Sequence, residues 1–180
     1  MSELCLRWLG CAALCALLAG CFPLIYLDRE EYPSDWPAQA AAGDSCLGGR
    51  YGNDAIGRSA PMAHQLLETA DPLRQVQQVR FSGLGGGLLR VQLLDAEGAV
   101  LVEERWQQGA HYSCEGGWLI RKQTNFAVVP ALAGSESRRF SRATNGDLLV
   151  QGTSGASGMV LLFPYYRDQR FWLRYPLVAD

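Results

Sequence analysis

The pattern of apolar and polar positions changes three times along this chain. From Trp8 to Ala19 it is an uncharged run of Leu, Ala, Cys, Gly and Trp, preceded by Arg7 and followed by Pro23 and a charged cluster from Asp28 to Glu31. The run is too short to be a stable membrane span, which takes about 20 apolar residues, and it has the layout of an export signal. Between Ser59 and Ala70 the spacing turns helical. Met62, Leu66 and Ala70 share a face, Ser59 is the expected N-cap, Pro61 lies in the first turn and Asp71-Pro72 is the stop.

From Val76 onward the period is two. Val79 and Phe81 alternate with Gln78 and Arg80, and Leu89, Val91 and Leu93 with Arg90 and Gln92, as in half-buried strands. Asp95-Ala96-Glu97-Gly98 predicts a hairpin turn into Val100 to Trp106. Trp118 to Lys122 and Arg138 to Ala143 are further strands, the second turning through Asn145-Gly146 into Leu148-Leu149-Val150. Met159 to Phe163 and Phe171 to Tyr175, with Arg167-Asp168 as the turn between them, complete the set. The expected fold is all-β: an antiparallel meander of about eight strands over residues 46–180, closed as a small barrel or folded as a sandwich, with one short helix near its start.

The leader ends in Leu18-Ala19-Gly20-Cys21. These four residues resemble the lipobox of bacterial lipoproteins, in which small residues fit the signal peptidase and the cysteine thiol receives a diacylglycerol. The resemblance implies that residues 1–20 are removed and that Cys21 becomes the lipidated N-terminus. Each buried methylene contributes about 0.8 kcal/mol to membrane attachment, so the two or three chains usual in such proteins give lasting anchorage. Phe22 follows where lipoproteins retained at the inner membrane usually carry Asp, so the resemblance favours the outer membrane, facing the periplasm. Residues 21–45, with Pro23, Pro33 and Pro37, are then expected to form a tether, with Tyr32 and Trp36 folded back on the domain.

Processing leaves about 160 residues, enough for one domain with a real core. Hydrophobic residues make up 48% and charged residues 19% of the chain, a globular composition, and a formal net charge of -2 does not suggest nucleic acid as a partner. Cys5, Cys11 and Cys15 leave with the signal and Cys21 is acylated, so Cys46 and Cys114 remain. In an oxidising envelope compartment they most simply form one disulfide. Cys46 to Asn53, with its Gly, aromatic and Asn cluster, loosely resembles the opening of lipocalin-type and other small meander-barrel lipoproteins.

Candidate chemistry is sparse. Ser82-Gly83-Leu84-Gly85-Gly86-Gly87 has the look of a phosphate loop, but a strand follows it where a phosphate cradle needs a helix N-terminus, so a hairpin connection is expected. His111, Cys114 and Glu115 lie close in sequence and His64 is the only other histidine; zinc sites usually draw on two close pairs of ligands, and a second pair is missing. Ser113 beside His111 has the composition but not the setting of a nucleophile. Ser154 to Gly158 reads as a loop, which together with Phe171-Trp172 faintly resembles membrane-bound lysozyme inhibitors, although their inhibitory serine motif is not reproduced. No catalytic residue, metal or cofactor is expected. Tyr165, Tyr166, Arg170 and Trp172 form the expected binding surface. The leading expectation is a non-catalytic lipoprotein that binds or scaffolds at the membrane. Its partners would be the membrane, through the N-terminal lipid, and an envelope protein or cell-wall component. An inhibitor of a cell-wall-degrading enzyme is the alternative, and a hydrolase the third.

Overall fold

Side chains that alternate between a buried and an open face build two sheets here. In this computed structural model residues 24–40, 46–67, 73–129, 132–160 and 163–179 are described. The expected signal, Cys21 and the end of the expected helix at Ala70 lie outside them.

Ten strands are described: β1 Leu24–Arg29, β2 Gly49–Gly52, β3 Gln78–Gly85, β4 Leu88–Leu94, β5 Val100–Gln107, β6 Ser113–Glu115, β7 Trp118–Val129, β8 Leu132–Arg142, β9 Leu148–Val160 and β10 Phe163–Tyr175. One sheet has the order β2-β3-β4-β5 and the other β1-β10-β9-β8-β7-β6. Both are antiparallel meanders except that β1 joins β10 in parallel, Leu24 beside Tyr165 and Arg29 beside Arg170. The fold is all-β, as the period-two pattern implies.

The core lies between the sheets. Tyr51, Val79, Phe81, Val91 and Trp106 of the smaller sheet face Leu119, Phe140, Val150, Leu173 and Tyr175 of the larger. Full burial of such side chains stabilises by about 1.5–3 kcal/mol each. Tyr51, Phe81 and Phe140 form an aromatic line across the interface, with ring centroids 6.1 and 6.4 Å apart. The barrel alternative is corrected. Among the described residues only isolated bridges link the two sheets, Tyr51 with Leu177 after β10 and Gln108 with Tyr112 before β6; no continuous ladder closes a barrel, and the architecture is a sandwich.

Two hairpins turn on glycine pairs. Gly86-Gly87 and Gly116-Gly117 have φ of 58° and 73°, and 57° and 80°, a left-handed geometry that suits the type I′ turn and the twist of its strands. The expected helix is shorter than its pattern: α1 spans Met62–Leu66. Its start lacks a side-chain cap from Ser59. Instead Asn53 reaches it from β2's exit, its side-chain oxygen accepting from Ala63 N at 2.8 Å and its amide donating to Val76 O at 3.0 Å.

The longest departures are in β9 and β10. Ser154 to Gly158, expected as a loop, lies in the outer half of β9 and is paired on both sides, and Arg167-Asp168, expected as a turn, is mid-strand in β10. Residues 24–40 of the expected tether are described. Leu24–Arg29 is a strand in the sheet, because β10 offers an open edge with which its extended backbone can pair.

Candidate functional site

The segment after β1 crosses the outer face of the larger sheet. Ala40 N donates to Arg142 O at 2.7 Å, Thr144 N to Ala38 O at 2.9 Å, and Gln39 pairs with Ala143 as an isolated bridge. Tyr32 stands edge-on to both Trp36 and Trp172, at 5.9 and 4.9 Å, and Trp172 also packs on Trp118 at 6.0 Å. The Arg174 guanidinium lies 5.3 Å over Trp36. Tyr32 and Trp36 thus fold back on the domain. Partial burial raises the Tyr32 phenol above its ordinary range, so the ring stays neutral and acts by packing.

This arrangement divides the expected binding surface. Trp172 is enclosed in the aromatic cluster. Tyr165 and Tyr166 are neighbours on β10 and so point to opposite faces, and only Tyr166 and Arg170 are exposed. The four residues do not form one patch.

Cys46 and Cys114 are brought together, with Cα atoms 5.8 Å apart and sulfurs at disulfide distance. The pair ties the entry to β2 to β6, and so ties one sheet to the edge of the other. Beside it opens a cleft of about 490 Å³, lined by the hairpin tips Gly85 to Leu89 and Glu115 to Gly117 with Leu47, Gln108 and Tyr112. Gly83, Gly85, Gly86, Gly87, Gly116 and Gly117 contribute backbone to its walls, beside leucine side chains. Glu115 brings a carboxylate, which accepts from Ser113 Oγ at 3.3 Å.

The histidines have local surroundings. His111 Nδ1 accepts from Gln107 N at 3.0 Å, closing the turn after β5, and the His111 backbone N–H donates to Gln107 O at 2.8 Å. His64 is exposed on α1. Among the described residues no three His, Cys, Asp or Glu side chains gather as a metal site would require.

The opposite end of the larger sheet has a different character, and of its exposed apolar residues only Tyr166 belongs to the binding surface expected from the sequence. β7 to β10 run past the smaller sheet, and β1 joins their outer edge. Here Leu24, Ile25, Tyr26, Leu27, Met159, Phe163 and Tyr166 are exposed. A belt of charge follows toward the body. Arg29 pairs with Asp168, Nε donating to Oδ2 at 3.0 Å, and this contact raises the Arg29 pKa further above its ordinary value. Next along the chain, Glu30 accepts from Arg58 at 2.6 Å and from Trp172 N at 3.3 Å. These contacts hold the end of β1 to the sheet. The signal that could have located this edge was the run Leu24 to Leu27 itself, four apolar residues in a segment otherwise rich in proline and charge.

No family model, no curated protein and no solved structure matches this chain.

Proposed function

We propose that this protein is a lipid-anchored binding or scaffold module of a bacterial envelope, held at the outer membrane, facing the periplasm, through acylated Cys21. One observation carries the reading: the lipobox residues Leu18 to Cys21 stand immediately before a strand that is part of the folded body, with Leu24 only three residues beyond Cys21. An acyl group there would hold the domain itself at the membrane, without a long flexible spacer. The chemistry fits binding without turnover. Catalysis needs acid, base and nucleophile within hydrogen-bond reach, whereas His111 is engaged in its own turn and Cys114 lies at disulfide distance from Cys46. The partner would be an envelope protein or a cell-wall component.

Mass spectrometry of the N-terminal peptide of protein exported in a bacterial host tests the anchor. A diacylated Cys21 is expected; an unmodified N-terminus at any later residue overturns it. Complementation of a deletion strain tests the role. Cys21→Ser should abolish it by removing confinement near the partner, and His64→Ala with His111→Ala should preserve it. A folded, correctly localised double-histidine variant that fails would overturn this reading and put catalysis or metal binding first.

A further inference from the structure

β1 is an edge strand made of residues that edges normally avoid. Leu24, Ile25, Tyr26 and Leu27 are 52%, 58%, 49% and 58% exposed, and because successive side chains alternate, both faces of the edge are apolar. A consecutive exposed apolar run on an unpaired edge is an aggregation hazard unless something covers it. The register places Tyr165 beside Leu24 and Tyr166 beside Ile25, while Phe163 pairs with Val160 and Pro164 with Met159 on the other side of β10. Among the residues whose side chains are described, seven of the twelve large exposed apolar ones lie at this end.

The order of residues along the strands is informative. On β10, Phe163 gives way to Tyr165 and Tyr166, and these to Arg167, Asp168 and Arg170; on β1, the four apolar residues give way to Asp28 and Arg29, with Glu30 and Glu31 just beyond its end. Hydrocarbon contact, an aromatic belt and then charge is the sequence of environments met on leaving a bilayer through its interface. The four residue steps from Leu24 to Asp28 span roughly 13 Å of strand. Charge therefore limits insertion to about the 5–10 Å typical of interfacial elements, and the free backbone edge stays clear of the hydrocarbon core, where it would be unsatisfied.

We propose that this end of the larger sheet, through Leu24, Ile25, Leu27, Met159, Phe163 and Tyr166, docks into the surface of a phospholipid bilayer and fixes the orientation of the body on it. The inference rests on the acylation of Cys21. Three residues of chain reach at most about 10 Å, so acyl chains on Cys21 would enter the membrane beside this edge and favour lipid over a second copy of the chain as its cover. The glycine-lined cleft then faces away from the membrane. It adjoins the Gly116-Gly117 turn at the start of β7, a strand of 12 residues and so roughly 40 Å from the docked end.

The test uses the full chain, as exported by a bacterial host, reconstituted in vesicles of phosphatidylethanolamine and phosphatidylglycerol doped with a diazirine phospholipid. Irradiation, digestion and mass spectrometry map the lipid adducts, and the same digest reports the mass of the Cys21 peptide. Adducts are expected on peptides covering 24–29 and 159–166, falling several-fold in an Ile25→Ser, Phe163→Ser variant that remains folded and acylated. An acylated Cys21 with those peptides unlabelled, or cross-linked to a second copy, overturns the docking and leaves the anchor standing. Labelled edge peptides with an unmodified Cys21 uphold the docking and overturn the anchor. If neither is found, both fall.

Discussion

Gly152 on β9 lies under the ring of Phe171 on β10, and a Cβ added there would stand 2.1 Å from Phe171 Cζ. The ring cannot easily move off, since the Arg138 guanidinium lies 5.1 Å over it, held by Gln65 at 3.0 Å and Glu136 at 3.0 Å. Gly152→Ala should therefore destabilise the domain by about 1–3 kcal/mol through overpacking. The check is urea denaturation, with a lower midpoint and an unchanged slope. A midpoint equal to wild type would show that the ring has room to shift.

The Cys46 and Cys114 pair closes a loop of 68 residues between the two sheets. On the chain-entropy account a bond there stabilises by on the order of 4 kcal/mol. Replacing both cysteines by alanine should lower the thermal midpoint as much as replacing either alone, and dithiothreitol should lower that of the wild type to match. Insensitivity of the wild type to reductant would mean that the two sulfurs are not bonded in solution.

Asn53 is buried and serves two partners, the Val76 carbonyl and the Ala63 N–H at the start of α1. Removing its amide leaves both unpaired inside the protein, which costs about 1–3 kcal/mol for each group. Asn53→Ala should lose on the order of 2–5 kcal/mol, the sum of those two penalties less relaxation. Asn53→Asp should not rescue it, because a carboxylate accepts from Ala63 but cannot donate to Val76 and would bury a charge. Full stability in the aspartate variant, by the same urea measurement, would refute this account of the cap.

Hydrogen bonding from Arg58 holds the Glu30 carboxyl below its ordinary pKa. A depressed folded-state value means that the contact stabilises fully above the ordinary carboxylate pKa, about 4.3, and that its contribution is lost as pH falls through the folded value. Both partners are partly exposed, so the effect should stay within about 1 kcal/mol. Glu30→Gln should lower the urea midpoint at pH 7, and the difference from wild type should shrink on acidification below pH ~4. A difference constant down to pH 2 would assign the loss to something other than charge.

How much of this fold is legible in the sequence depends on which faces are buried. In β3 and β4 one face packs on the core, and there Val79, Phe81, Leu89, Val91 and Leu93 write the strand period directly into the chain. In the outer halves of β9 and β10 no second sheet covers either face. Burial therefore imposes no alternation, and Ser154 to Gly158 and Arg167-Asp168 look like loop and turn although the backbone ladders run through them unbroken. The candidate site was hidden for the same reason. Tyr165, Tyr166, Arg170 and Trp172 form one aromatic and basic cluster in sequence, but strand alternation and the overlying Tyr32 send them to different places.

By itself the sequence determined the β class, the positions of the hairpins at Asp95 to Gly98 and Asn145-Gly146, and the resemblance of Leu18 to Cys21 to a lipobox. Each of these depends on local chemistry: side-chain period, turn geometry, or a short motif. Tertiary structure alone decided that the two sheets do not close into a barrel, that a proline-rich segment supplies a parallel edge strand, and that Asn53 caps a helix ten residues away. Those outcomes depend on which free backbone edge or unpaired amide lies within reach once the sheets have packed, and distance in space is not written in the order of residues along the chain.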